Sequence, residues 1–235
     1  MIVNDIIDFH AHVLPGADHG SDSLATSIAQ LTLASRAGVK RIIATPHFYP
    51  HRHTLDTFLE RRETSYKKLC NAGAMEIAEV RVGAEVLVCE NIEALEGIEK
   101  LCIQGTRTLL LELPFLSFSE SYCNTVDTLV SRGFDIVLAH ADRYSKEDID
   151  ALINVGAKIQ LNADSISGFF KRKHLYNWAE KGYVVALGSD IHNADASAYK
   201  KFVKAKNKFS PYIDDIKKAS DAIWNKASEA NTIKF

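Results

Sequence analysis

The chain has 235 residues, 46% of them hydrophobic and 25% charged, with a net charge of -2. That is apolar material for one large α/β domain or two small ones, and the near-neutral balance gives no electrostatic footprint for nucleic acid or an anionic membrane. Four cysteines (Cys70, Cys89, Cys102, Cys123) form no C-x-x-C pair, the opening Met-Ile-Val-Asn-Asp lacks the basic start of a signal peptide, and nothing approaches the ~18 apolar residues of a membrane span, so reduced thiols and a cytoplasmic location are expected.

Short apolar runs alternate with longer amphipathic stretches. A strand is expected over about 5–9, then a helix from Ser23 to Ala37 with Leu24, Ile28, Leu31 and Ala34 on one side and Gly38 as its stop. A strand over 40–44 precedes a charged helix from Thr54 to Ala72. Strands at 80–84 and 107–111 follow, then a helix from Ser121 to Arg132 ending at Gly133. The pattern continues with a strand at 135–139, a helix from Ser145 to Asn154, a strand at 158–162, a helix from His174 to Lys181 and a last strand at 183–188. The late lysines (Lys200, Lys201, Lys204, Lys206, Lys208, Lys217, Lys218) read as a solvated helical face. Val, Ile and Leu without polar alternation suit parallel strands buried on both faces. Seven β-α alternations without repeat or linker predict one domain over 1–235, either a parallel barrel or a doubly wound sheet.

The chemistry-bearing residues choose between the two. The runs end in His10 and His12, His47, Glu85, Glu112, His140, and the pair Asp190 and His192, with His19 a short loop after the first pair. Parallel barrels gather their sites at the C-terminal ends of the strands, whereas an open sheet delivers them mainly at one switch point. A closed or nearly closed barrel of about seven strands is therefore expected. Imidazole and carboxylate are ligands of zinc, manganese and iron. Two side chains one residue apart on a strand point the same way, so His10 and His12 can reach one metal; Asp190 and His192 repeat that spacing after the last strand. A single such histidine is as readily structural as functional, but the whole set is not. His51 and His53 lie in an exposed loop, either in contact with substrate or without function, and His174 in Lys171-Arg172-Lys173-His174 reads as solvated.

The stretches DFHAHVLPGADHG, IIATPHFYP, VGAEV, LLLELP, LAHADRY, IQLNADSISG and ALGSDIHN resemble, in order, the PHP (polymerase and histidinol phosphatase) superfamily. Within it, the LPG-x-D-x-G continuation resembles the bacterial manganese-dependent protein tyrosine phosphatases of capsule and exopolysaccharide synthesis. The resemblance implies a distorted seven-stranded TIM-like barrel, (β/α)7, holding two to three divalent metals, manganese first and zinc or iron as alternatives. It assigns His10, His12, Glu85 and Asp190 to a first metal, Glu85 as bridge with Glu112 and His140 to a second, and His19, His47 and His192 to a third. His19 stands where the family often has Asp, which keeps a ligand but shifts metal preference toward zinc or iron; Asp18 is left either behind the ligands or shaping the turn.

The resemblance also places Arg143 on the phosphate, a role that suits a guanidinium, and makes Glu85 and Asp190 the catalytic carboxylates. A second family arginine has no counterpart in Asn193 to Ser197, where Lys200 either substitutes or points to water. The implied reaction is hydrolysis of a phosphate monoester by metal-activated hydroxide, with a phosphotyrosine-bearing protein, a bacterial tyrosine kinase tail, as partner. No Cys-x5-Arg loop occurs that would support a cysteinyl-phosphate route. The alternatives are a PHP phosphoesterase acting on histidinol phosphate or another small ester, and a metal-binding regulatory protein without turnover. An amidohydrolase-like enzyme is disfavoured by the lack of a strand-end lysine.

Overall fold

Nine short strands, all paired in parallel, make one curled sheet in the computed structural model, which describes residues 6–115, 118–168 and 172–232. They are β1 (Asp8–Ala11), β2 (Arg41–Ala44), β3 (His47–Phe48), β4 (Glu79–Val82), β5 (Glu85–Leu87), β6 (Thr108–Glu112), β7 (Asp135–Leu138), β8 (Lys158–Asn162) and β9 (Val184–Gly188). The order across the sheet is β3-β5-β6-β7-β8-β9-β1-β2-β4. The opening Met-Ile-Val-Asn-Asp, including the first residue of the expected 5–9 strand, lies outside the described residues, as does Lys171.

The expected count of seven is corrected to nine because two of the apolar runs are each broken in two. Thr45-Pro46 separates β2 from β3: proline has no N–H for a ladder and restricts the residue before it. Gly83-Ala84 separates β4 from β5. The halves pair separately, β2 with β4 and β3 with β5, and the second pairing sets His47 opposite Glu85.

Among the described residues there are eight α-helices, six between strands and two after β9: α1 (Leu24–Arg36), α2 (Leu55–Asn71), α3 (Ser121–Ser131), α4 (Lys146–Asn154), α5 (Ala163–Ser167), α6 (Lys173–Glu180), α7 (Ala196–Lys208) and α8 (Ile213–Thr232). Three begin as their sequences predict. The side chains of Ser23, Thr54 and Ser145 accept hydrogen bonds from the backbone N–H groups of Thr26, Thr57 and Asp148, satisfying donors the first turn leaves open. The short α5 is unforeseen, and the lysine-rich tail resolves into α7 and α8. His174 is half-buried, edge-on against Trp178, and not fully solvated.

One apolar layer fills the space between strands and helices, with Leu31, Ile42, Leu109, Leu138, Tyr199 and Phe202 among its buried members. A second, smaller cluster lies on the other face: Ile7, Phe9, Ile43, Leu110, Val137 and Ala186, joined by Ile223 and Trp224 of α8. Alternation carries this inner face from apolar to polar along each strand. Leu110 and Glu112 on β6 are two apart and share a face, so the same side that packs Leu110 delivers a carboxylate at the strand's end. Helix α8 crosses the opposite, N-terminal ends. Asp221 pairs with Arg41 at 2.8 Å and Lys226 with Asp135 at 3.2 Å, both partners being first residues of their strands. The Arg81 guanidinium lies 3.9 Å from the Trp224 ring centroid and donates to the Trp224 carbonyl.

Trp224 is 4% exposed and is the largest side chain of the inner cluster. Trp224→Ala is expected to cost about 3–5 kcal/mol, the range for deleting a buried aromatic, read as a lower urea midpoint with unchanged slope. A loss below about 1 kcal/mol, the scale of an ordinary surface substitution, would show that α8 does not seal this end.

Candidate metal centre

The ligand-type side chains are brought to one point by irregular backbone. Asp8 pairs with Ile42 and Ala11 with Ala44, so β1 holds one residue more than β2 over this stretch. Such a bulge interrupts the alternation, so that Phe9 stays with the inner apolar cluster while His10, the next residue, joins the polar group above it. The Asp8 carboxylate accepts from the Ser189 N–H at 2.8 Å and the Tyr199 hydroxyl at 2.9 Å, tying the exit of β9 to β1. His140 (φ 33°) and Asp190 (φ 53°) are two of the three non-glycine residues with positive φ among the described residues. That conformation costs about 1–3 kcal/mol each and collects at functional sites. Gly188 is required by close approach: a Cβ there would lie 2.7 Å from the His10 Cβ and 2.6 Å from the Gln160 Nε2.

Glu85, 1% exposed, is the centre of the group. Its Oε2 lies 2.9 Å from His47 Nδ1, 3.2 Å from His10 Nε2 and 3.3 Å from His12 Nε2; its Oε1 lies 2.7 Å from His140 Nε2. Glu112 Oε1 is 3.5 Å from His140 Nε2, and Asp190 Oδ1 is 3.3 Å from His12 Nε2. Three sets have ligand atoms mutually within 4.8 Å: His10, His12 and Glu85; His47, Glu85 and Glu112; and His12, His47 and His192. His140 and Asp190 lie outside these sets but join the group through Glu85 and His12, so the expected residues converge except for His19, which has ring contacts only. His19 is exposed, its ring stacked 4.5 Å from that of His47 and 5.0 Å from that of His192, but it belongs to none of the three sets; His12 takes its place beside His47 and His192.

The tautomers follow from the partners behind the rings. His12 Nδ1 donates to Asp18 Oδ2 at 2.7 Å, since a carboxylate only accepts. Gln160 Oε1 accepts from the His140 backbone N–H at 2.7 Å and from His10 Nδ1 at 3.1 Å, while its amide nitrogen donates to Asn162. Both Nε2 atoms are thereby left as lone-pair donors, and they face one another at 3.1 Å. Two lone pairs at that distance repel unless a cation or proton lies between them. His47 Nδ1 and Glu85 Oε2, both buried and 2.9 Å apart, lack hydrogen-bond geometry. Imidazoles held from behind by carboxylate or amide, with free nitrogens converging on carboxylates, fit divalent metal ions.

Charge balance points the same way. Burial opposes the charged form of Glu85, but His10, His12 and His140 hold its carboxyl well below the usual range. Asp190 is likewise depressed against burial, by His10 and His12. Burial opposes a charged His140, yet Glu112 and Glu85 lift it to about 9. Burial and the neighbouring His12 push His192 down to about 4. The carboxylates thus stay ionised and draw positive charge into the group.

Arg143 follows His140 on a 3-10 turn and donates to Asp190 Oδ2. It lines a cleft of about 280 Å³ with Asn162, Asp190 and His192. Of the two alternatives for Lys200 the structure supports the second: it is exposed and lines a separate hollow with Leu33 and Val203, while Lys201 is the lysine in the cleft, 2.9 Å from Asp164. Sequence reasoning did not single out Gln160 and Asn162. Their signal was two amides in alternate positions within the otherwise apolar IQLN run. Asn162 donates to Asp190 at 3.0 Å, so both amides act on the ligand group. Asp18 proves to stand behind the ligands, also accepting from the His47 and Gly20 N–H groups.

Parallel strands whose exits bring imidazoles and carboxylates together define an α/β protein built around a mouth whose side chains could hold metal ions. The chain belongs to the capsular polysaccharide synthesis family CpsB/CapC, whose profile matches residues 6–210, within the PHP superfamily. It is 26% identical over 217 residues to the tyrosine-protein phosphatase CpsB of Streptococcus pneumoniae, covering 81% of this chain and 84% of that protein. It is 27% identical over 199 residues to the tyrosine-protein phosphatase YwqE of Bacillus subtilis (strain 168), covering 80% and 78%. Among solved structures, one described as the metal-dependent tyrosine phosphatases YwqE and CpsB from these organisms shares the fold, with a TM-score of 0.71 at 24% identity over 88% of this chain and 87% of that one.

Asp18→Asn removes the acceptor that fixes the His12 tautomer. It is expected to weaken manganese binding by about 10- to 100-fold, the usual effect of losing a partner behind a metal ligand, in a calorimetric titration of metal-stripped protein. Unchanged affinity would show that the Asp18 contact does not serve the ligand group.

Proposed function

We propose that this chain is a metal-dependent protein tyrosine phosphatase that acts on a tyrosine-phosphorylated bacterial kinase tail in capsule or exopolysaccharide synthesis, in the cytoplasm. The observation that carries the reading is Glu85 in contact with four imidazoles, with Arg143 on Asp190 at the edge of the same group. The family and the two named phosphatases support it.

His10, His12, Glu85 and Asp190 would hold one metal, and Glu85, Glu112 and His140 a second. His47 and His192 would hold a third, with His12 or His19 completing it. Manganese is the first choice, zinc or iron the alternatives. Such ions lower the pKa of bound water and neutralise phosphoryl oxygens. The remaining work falls to side chains. Arg143 presents a planar fork that matches two phosphate oxygens and stays charged, and its bond to Asp190 aims that fork along the cleft. Gln160 and Asn162 keep the ligands in place without proton exchange. Phe115, 70% exposed, lies 6.4 Å from His140, near parallel at 12°, and offers an aromatic face to a phenyl ester. A phenol leaves with a pKa near ~10, which needs less acid help than an alkyl alcohol. The chain is read as one domain over 1–235 and the sheet as a distorted seven-run barrel. The support is that each half of 41–48 pairs with the corresponding half of 79–87 in one register.

The test is metal content by mass spectrometry together with phosphate release from a phosphotyrosine peptide, with and without manganese. Two to three metals and metal-dependent release are expected. Release only from small esters would move the protein to the other phosphoesterases of the superfamily; metal-free protein after reconstitution would end the reading. Arg143→Ala should lower kcat/KM by about 10- to 100-fold, as expected for losing one or two charge-assisted hydrogen bonds, with Arg143→Lys recovering only part. Equal activity in Arg143→Ala and wild type would remove Arg143 from the reaction.

A further inference from the structure

On the flank of the ligand group away from Arg143 there is a second hollow, of about 250 Å³, lined by Asp18, His19, His47, Tyr49, Arg52, His53 and Arg61 among others. It gathers a loop the function has not used, Tyr49 to His53, against Arg61 from α2. Tyr49 stacks on His47, centroids 5.0 Å apart at 18°, and the Arg52 guanidinium lies 5.2 Å from the Tyr49 centroid. A continuous stack thus leads from the ligand group to a cation.

The charge of this hollow is unbalanced. Asp18 is its only acidic lining residue, and its two oxygens already accept from His12, His47 and Gly20. Neither Arg52 nor Arg61 has an ion pair or hydrogen bond with a described residue, and the Arg61 Nε is buried without a partner. The neighbouring Arg62 shows what a structural arginine looks like here: it donates to the Gly83 and Lys100 carbonyls and to Glu63. Burial, then Arg61 and Arg52, hold His53 below its ordinary pKa, so the two positive charges converge on the same space. Unpaired guanidiniums lining a concave site favour a carboxylate or phosphate.

We propose that Arg52 and Arg61 form a subsite for an anionic side chain, a carboxylate or a second phosphate, adjacent to the reacting phosphotyrosine on the same polypeptide. The inference rests on the phosphatase reading and adds a substrate class to it: tyrosine phosphorylated within an acidic or multiply phosphorylated segment. His47 lines this hollow and belongs to the ligand group, while Asp190 and His192 of that group line the Arg143 cleft. A peptide lying across the group therefore meets a cation on either side.

The test compares three phosphotyrosine peptides of equal length on the full chain loaded with manganese: glutamate-flanked, flanked by a second phosphotyrosine, and glutamine-flanked. Wild type is expected to favour the two anionic peptides by about fivefold in kcat/KM, on the scale of two partly exposed charge pairs, and which of them leads identifies the source of the anion. Arg52→Gln should reduce the ratio and the Arg52→Gln, Arg61→Gln double variant should bring it near one. Because the ratio is taken within one variant, partial loss of folded protein does not change it. Anisotropy with phosphonate analogues of the same peptides should follow the same order and weaken with salt. A wild type without preference, or a preference that survives the double variant, overturns the subsite. If no phosphopeptide is hydrolysed at all, the phosphatase reading fails, and the anisotropy series alone decides whether the subsite exists.

Discussion

A single buried carboxylate organises this molecule. Four imidazoles from three different stretches of chain lie within 3.3 Å of the Glu85 oxygens. A carboxylate out of water is expensive unless positive charge compensates it, and β1, β3, β5 and the turn after β7 together surround this one with imidazoles that can share a proton or a metal ion with it. The chain reaches that arrangement by setting ring nitrogens around both oxygens, with room for a proton or cation between, and by holding two of the rings from behind. Asp18 and Gln160 hold the rings, while Asn162 and Arg143 hold the carboxylate of Asp190.

The backbone bends to make this possible. A regular strand would have sent His10 to the face opposite Phe9; the extra residue in β1 keeps it on the inner side. Thr45-Pro46 and Gly83-Ala84 end one ladder and start another, so that His47 and Glu85 become register partners at the mouth. His140 and Asp190 occupy a conformation most residues avoid. Such departures persist because the surrounding parallel ladders and the packed layers beneath over-determine them.

The sequence made much of this readable, for a local reason. Ser23, Thr54 and Ser145 announce helix starts because capping needs only four consecutive residues. The ligands announce themselves because each is a polar residue closing an apolar run, a pattern visible without knowing the partners. What stayed hidden depends on residues far apart in the chain. The two strand breaks become separate strands only through which neighbour each half meets. Gln160 and Asn162 read as parts of a strand until His10 and Asp190 are placed beside them. His19 matched a ligand motif by position, yet the turn leaves it exposed and stacked on His47 instead of inside a close set. The basic hollow could not be read from Tyr49 to His53 alone, because Arg61 comes from the next helix.

Helix α8 carries a consequence of another kind. The family profile ends at residue 210, yet Trp224 and Ile223 pack against Phe9 and Ile43 under the same inner face that carries the histidines at its other end. The molecule is thereby divided like a vessel into a polar rim and an apolar base. Residues at the base set how hard the barrel-like sheet is to open, and none of them touches the ligand group. Resistance to heat and the chemistry of the mouth are therefore set by different residues of this chain, the first in the tail helix and the second at the strand exits.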